Sequence, residues 1–170
     1  MINKPKILPI HIYGDKILRS KSEKVITIDK NLKQFIEDFI ATMYQWGGVG
    51  LSAPQVGVTK RIIVIDPQRK NNPKKYSPLV MINPVIEESS GETETEEGCI
   101  SIPGIYAKVV RPSNITVSYK DLQNKQHRIT LSGYPAVIVQ HECDHLDGIL
   151  FIDHLNTIAK LEIRNKLKEL

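Results

Sequence analysis

Between Asp29 and Trp46 the apolar residues return at helical intervals. Leu32, Phe35, Ile36, Phe39, Ile40 and Met43 share one face, which predicts an amphipathic helix. The Gly47–Gly48 pair ends it and opens a loop through Pro54 and Gly57. Within Arg61–Asp66 the unbroken apolar run Ile62–Ile65 predicts a buried strand. Leu79–Glu88 reads as a further strand or two around Pro84. Ile115, Val117 and Tyr119 alternate within 114–119, and 128–131 follows a polar turn, so the pair predicts a β-hairpin. Pro135 suits the first turn of a helix running to about Asp147, with Gly148 just past its end. A last helix, from Thr157 to Leu170, takes Ile158, Leu161, Ile163 and Leu167 as its apolar positions. Short antiparallel strands around a central helix, flanked by an N-terminal and a C-terminal helix, predict one α+β domain over residues 1–170.

Composition narrows the class without choosing a function. With 41% hydrophobic and 25% charged residues the chain is an ordinary globular one. No apolar run reaches the roughly 18–20 residues that a membrane helix needs. Lys4, Pro5, Lys6, Pro9 and His11 interrupt the first fourteen positions, Met1 to Gly14. That leaves no apolar core for a signal peptide, so a soluble intracellular protein is expected, with no membrane partner. The net charge of +4 gives no reason to expect sequence-specific nucleic-acid binding. Charge is nonetheless clustered. Lys60, Arg61, Arg69, Lys70, Lys74 and Lys75 lie in one stretch, and Glu87, Glu88, Glu92, Glu94, Glu96 and Glu97 in another. Both read as solvated loops.

The chemistry concentrates at His141-Glu142-Cys143-Asp144-His145, an HExxH pattern inside the predicted central helix. Residues four apart share a helical face, so both imidazoles can reach one metal ion. Glu142 sits about 100° around the helix, beside the metal, where it can handle a proton of bound water. Val137, Ile138 and Val139 make that helix strongly apolar, and buried imidazoles and carboxylates need partners. A catalytic metal usually has three protein ligands. HExxHxxGxxH would supply a third histidine, but the pattern stops at Gly148 and has Phe151 where that histidine belongs. Glu162 and Glu169 sit in an ordinary charged helix, and His154 reads as a surface residue. Cys143, two residues from each histidine, points about 160° to 200° away from the metal face and reads as a core thiol. Cys99, in Glu97-Gly98-Cys99-Ile100-Ser101, is the best remaining third ligand. A thiolate with two imidazoles suits Zn or Fe(II).

Three segments in order resemble the peptide deformylase family: Gly48-Val49-Gly50-Leu51-Ser52-Ala53-Pro54-Gln55, similar to GxGLAAPQ; Glu97-Gly98-Cys99-Ile100-Ser101, similar to EGCLS; and Gln140-His141-Glu142-Cys143-Asp144-His145-Leu146-Asp147-Gly148, similar to QHExDHLxG. Ser52 stands for the usual alanine and Ile100 for the usual leucine. The resemblance implies removal of the N-formyl group from the initiator methionine of nascent chains, with formate released. It implies one divalent ion, Fe(II) in preference to Zn, Ni or Co, on Cys99, His141 and His145. It gives Glu142 the proton transfers and assigns oxyanion donors to the Gln55 side chain and the Ile100 backbone N–H. Val49, Gly50, Gly98, Val137 and Ile138 would then meet the formyl-methionyl peptide. By the same resemblance, Lys160, Arg164, Lys166 and Lys168 of the last helix, opposed by Glu162 and Glu169, could meet the ribosome surface. A closed structural Zn site is disfavoured, because no second cysteine lies at short spacing from Cys99 and Glu142 would have no purpose in it.

Overall fold

The structure is a computed structural model and describes residues 4–72 and 74–170; the first three positions of the N-terminal stretch considered above lie outside them. Helix α1 (Lys30–Gln45) begins where the Asp29 carboxylate accepts the Leu32 N–H at 2.8 Å, an N-cap that satisfies an otherwise orphan donor. It ends at Gly47, whose left-handed φ of 69° a glycine adopts without a Cβ penalty. All six residues of the predicted face are at least partly buried.

Strands β1 (Gly50–Ser52), β2 (Ile62–Ile65), β3 (Leu79–Ser90), β6 (Asn114–Lys120) and β7 (Gln126–Ser132) form one antiparallel sheet in the order β1-β2-β3-β6-β7. Between β3 and β6 in the chain, β4 (Thr93–Cys99) and β5 (Ile102–Arg111) pair as a separate two-stranded ribbon. Strand β2 explains its own unbroken apolar run. Ile62 and Val64 pack with Phe39 and Met43 of α1, while Ile63 and Ile65 face the opposite core, so both faces of the strand are dry. The segment around Pro84 is one strand, not two. Asn83, at φ 54°, and Pro84 sit in a register shift between Ile82 and Val85, the kind of place where a strand tolerates a residue without an N–H.

Helix α2 (Tyr134–Leu146) lies against the sheet. Ala136, Ile138, Val139, Cys143 and Leu146 meet Ile63, Met81, Ile115 and Val117. Gly148 follows it at φ 73°, and a Cβ there would fall 2.5 Å from the Arg19 carbonyl oxygen, so the position is closed to any other residue without backbone movement. Helix α3 (Thr157–Lys168) docks on β5 and on the 151–155 turn.

Two expectations are corrected. In α3 the buried side is Ile163, flanked by Ala159 and Leu167 at four-residue intervals, while Ile158 and Leu161 are exposed; the narrower i, i+4 stripe prevails because only one side of this helix touches the domain. The acidic stretch is not a solvated loop. Glu87 and Glu88 lie within β3 and pair with Arg128 of β7, and Glu94, Glu96 and Glu97 belong to β4. In the basic stretch Arg61 pairs with Asp147, and the Arg69 guanidinium lies over the rings of Tyr44 and Tyr76; Lys70, Lys74 and Lys75 are exposed as expected.

Candidate metal centre

The central helix brings His141 and His145 together one turn apart, with ring centroids separated by 5.1 Å. Cys99 arrives from the other layer. It is the last residue of β4, displaced by the register shift at Gly98, and its Sγ lies 3.3 Å from His145 Nε2. One ligand atom from each of Cys99, His141 and His145 can lie within 4.8 Å of the other two. A thiolate and two imidazoles at that spacing form a donor set that fits a divalent Zn- or Fe-type ion. Cys143 is buried in the α2–sheet core, and burial pushes its thiol up to about 12. His154 is exposed and bonds Asp144 at 2.7 Å.

His141 is oriented from behind. Its Nδ1 lies 2.8 Å from Glu97 Oε2, which leaves Nε2 for the metal side. Glu97 takes a two-pronged contact from Arg111 at 2.5 and 3.0 Å, and Arg111 also donates to Asp144 at 2.9 Å. Burial would raise the Glu97 carboxyl, but His141 and Arg111 overcome it and hold the group down at about 2. Burial also opposes the charge on Arg111, and Glu97 and Asp144 outweigh it, so its pKa is raised. For His141, burial is outweighed by hydrogen bonding with Cys99 and Glu97, which raises its pKa; for His145, burial followed by the positive charge of His141 lowers it. A carboxylate holding a metal-ligating imidazole fixes its tautomer and increases its basicity.

Glu142 has the opposite environment. It is buried, Oε2 has no hydrogen-bond partner, and burial raises its carboxyl to about 7. Gly50 makes room for it, since a Cβ there would lie 2.5 Å from Glu142 Oε1 and 2.8 Å from Ile138. In front of Glu142 opens a cleft of about 560 Å³. Val49, Gly50, Gln55, Gly98, Cys99, Ile100, Val137, Ile138, His141 and Glu142 all line it, and His145 lies behind. On one side runs β1, an edge of the five-stranded sheet, and on the other the Gly98–Ile100 end of β4. The Gln55 amide reaches across, donating from Nε2 to Ser101 Oγ at 3.1 Å and to Cys99 Sγ at 3.4 Å.

Sequence reasoning did not single out Arg111, Asp144 or the orienting contact of Glu97. Glu97 and Cys99 lie two apart on one strand, which is a same-face signal, but it is readable only once 93–99 is recognised as a strand.

Comparisons with known proteins agree along nearly the whole chain. The sequence model of the family described as Polypeptide deformylase matches residues 7–161. A peptide deformylase from a Picosynechococcus strain is 42% identical over 163 residues, covering 95% of this chain and 85% of its own. One from Nitrosococcus oceani is 42% identical over 96% of this chain and 95% of its own. Among solved structures, a peptide deformylase from Legionella pneumophila superposes with a TM-score of 0.88 at 42% identity, covering 96% of this chain and 94% of that one. One from Plasmodium falciparum gives 0.90 at 44% identity, covering 95% and 94%. The chain therefore belongs to the polypeptide deformylase family, metal-dependent hydrolases that remove N-formyl groups from nascent polypeptides.

Proposed function

We propose that Cys99, His141 and His145 hold one divalent ion, Fe(II) in the native protein with Zn, Ni or Co as workable substitutes, and that Glu142 moves the protons of deformylation in the adjoining cleft. When bound, the ion supplies Lewis acidity and brings the pKa of water toward neutrality. Glu142, raised to about 7 and unpartnered at Oε2, accepts a proton from the attacking water and returns it to the departing amine. Water adds to the formyl carbon, the C–N bond breaks, and formate leaves with a free amino terminus. Gln55 Nε2 and the Ile100 N–H stabilise the oxyanion that develops on the way. The backbone at Gly50 and Gly98 flanks the peptide as a neighbouring strand would, and Val49, Val137 and Ile138 receive the methionine side chain.

The observation that carries this reading is a buried carboxylate without a partner, at the head of a cleft and beside a Cys–His–His cluster. It is tested by measuring formate release from a formyl-methionyl tripeptide by anaerobically purified protein, with metal content determined in parallel. Stoichiometric metal without formate release refutes the reading.

We read residues 1–170 as one catalytic domain. Among the described residues no helix is long and apolar enough to cross a membrane, and the place of action proposed is the cytoplasm, where formylated chains are made. Helix α3 presents Lys160, Arg164, Lys166 and Lys168 at its surface, and these suit contact with the ribosome. Changing all four to alanine should weaken ribosome co-sedimentation at low salt and leave tripeptide turnover intact. Unchanged co-sedimentation refutes the contact without touching the chemistry.

A further inference from the structure

Gln55 can stabilise an oxyanion only if its amide is held with nitrogen toward the metal cluster and oxygen away from it. The structure shows what holds the oxygen. Gln55 Oε1 accepts the backbone N–H of Ser52 at 2.9 Å and the Ser52 hydroxyl at 3.0 Å. Both residues are buried, at 0% and 2% exposure, so water cannot substitute. An amide oxygen has two lone pairs, and these two donors fill both. The backbone N–H alone forbids a flipped amide, since it would then face an NH₂ group. The hydroxyl adds a second constraint and draws electron density toward Oε1, which strengthens the Nε2 hydrogens as donors. On the far side those hydrogens point at Ser101 Oγ and Cys99 Sγ.

Ser52 is also where this chain departs from the alanine usual in the motif. An alanine there would keep the backbone N–H, leave one Gln55 lone pair empty in a dry interior, and hold the amide oxygen by a single contact. We infer that Ser52 is a positioning residue for the deformylation reaction: its hydroxyl fixes and polarises the Gln55 carboxamide so that Nε2 is aimed in advance at the oxyanion. The inference rests on Gln55 acting as oxyanion donor. Ser52 is buried and does not line the cleft, so its effect belongs in kcat and not in KM.

The test uses Ser52→Ala, which carries the family's usual residue and should therefore fold, together with Ser52→Thr, Gln55→Ala and the Ser52→Ala/Gln55→Ala double variant. Ser52→Ala should lower kcat on a formyl-methionyl tripeptide by about 3- to 10-fold, the worth of one neutral hydrogen bond, with KM and metal content unchanged. Ser52→Thr, which keeps the hydroxyl, should restore at least half of kcat. In the Gln55→Ala background, Ser52→Ala should have no further effect. A readout independent of turnover is hydrogen exchange of the Gln55 side-chain amide in ¹⁵N-labelled metal-free protein, which should quicken several-fold in Ser52→Ala. Unchanged kcat and exchange in Ser52→Ala overturn the inference, as does an equal loss in both backgrounds. Full activity of Gln55→Ala refutes the donor role itself, whereas a large loss there with an inert Ser52→Ala refutes only the positioning.

Discussion

Replacing Glu97 by glutamine removes one charge from the most buried ion pair beside the site, and its cost can be worked out in advance. Arg111 is 4% exposed and Glu97 6%. In the variant the guanidinium keeps only Asp144, which is itself partly solvated. Breaking a buried pair by removing one partner typically costs about 3–5 kcal/mol. The carboxyl gives an independent figure. A group held at about 2 in the folded protein against its ordinary 4.5 stabilises the fold by about 3 kcal/mol once ionised in both states. Because the folded pKa is the depressed one, this contribution is fully present above pH 4.5 and disappears as pH falls toward 2. Glutamine retains one acceptor oxygen, so we expect the lower figure, about 3 kcal/mol, for metal-free protein at pH 7. With a urea slope of about 2 kcal/mol per molar, the unfolding midpoint should fall by about 1.5 M. The gap between wild type and variant should narrow by about half as the measurement moves from pH 5 to pH 3. The loss of the carboxylate behind His141 should also weaken metal binding about 10- to 100-fold, measured by chelator competition with Zn. Glu87→Gln, which disturbs an exposed pair with Arg128 remote from the metal cluster, should leave both properties near wild-type values. A loss in Glu97→Gln below about 1 kcal/mol, or unchanged metal affinity, would refute the reasoning.

Three further outcomes are expected. Cys99→Ala should lose bound metal and activity together, while Cys143→Ala keeps both; metal analysis and formate release decide, and a normally active Cys99→Ala would reopen the question of the third ligand. Glu142→Gln should keep stoichiometric metal while kcat falls about 10²- to 10⁴-fold, the range for a general acid–base; loss of metal with little loss of rate per bound ion contradicts its role. Activity of freshly isolated protein should decay in air and persist under nitrogen if Fe(II) on a thiolate is the working centre, with Zn- or Ni-loaded protein resistant; equal decay in both atmospheres argues against iron.

The elements readable in the sequence are those whose patterns arise locally. Helix α1 shows its whole buried face because one side packs on β1 and β2 and the other meets water. The HExxH turn is readable because both histidines depend only on the helical period. Strands β4 and β5 are not. Thr93 to Gly98 holds five polar residues and one glycine where apolar residues would mark a strand, since β4 carries the Glu97 half of a buried ion pair while the ribbon's core contacts come from Ile102, Ile105 and Val109 of β5. In α3 composition is similarly misleading. Ile158 and Leu161 are as apolar as Ile163, yet only Ile163 meets β5 and the turn around Leu155, and nothing in the helix itself says which stripe finds a neighbour. The Cys–His–His cluster lies between these cases: its two histidines follow from spacing, whereas Cys99 enters through a register shift that no periodicity announces.

Two buried glutamates flank His141, and their difference is what makes the centre chemically asymmetric. Glu97 and Glu142 are 6% and 4% exposed, so desolvation acts on both. Hydrogen bonding from His141 and Arg111 decides between them. Both bond Glu97, whereas Arg111 reaches Glu142 only as a more distant charge, behind burial, His141 and Glu97 among its influences. One carboxyl is thereby pinned at about 2 and the other released to about 7. The pinned group can hold a ligand but cannot exchange a proton near neutral pH. The released one can exchange a proton, and its Oε2 has no hydrogen-bond partner to tie it down. Exchanging the two environments would leave a loosely oriented His141 and a carboxylate too acidic to accept a proton from water. The position of Arg111 on β5, opposite Thr93 in the ribbon and within reach of α2 through Asp144, therefore does for the site what neither helical spacing nor the cysteine can do: together with the His141 bond to Glu97, it assigns the two acids different work.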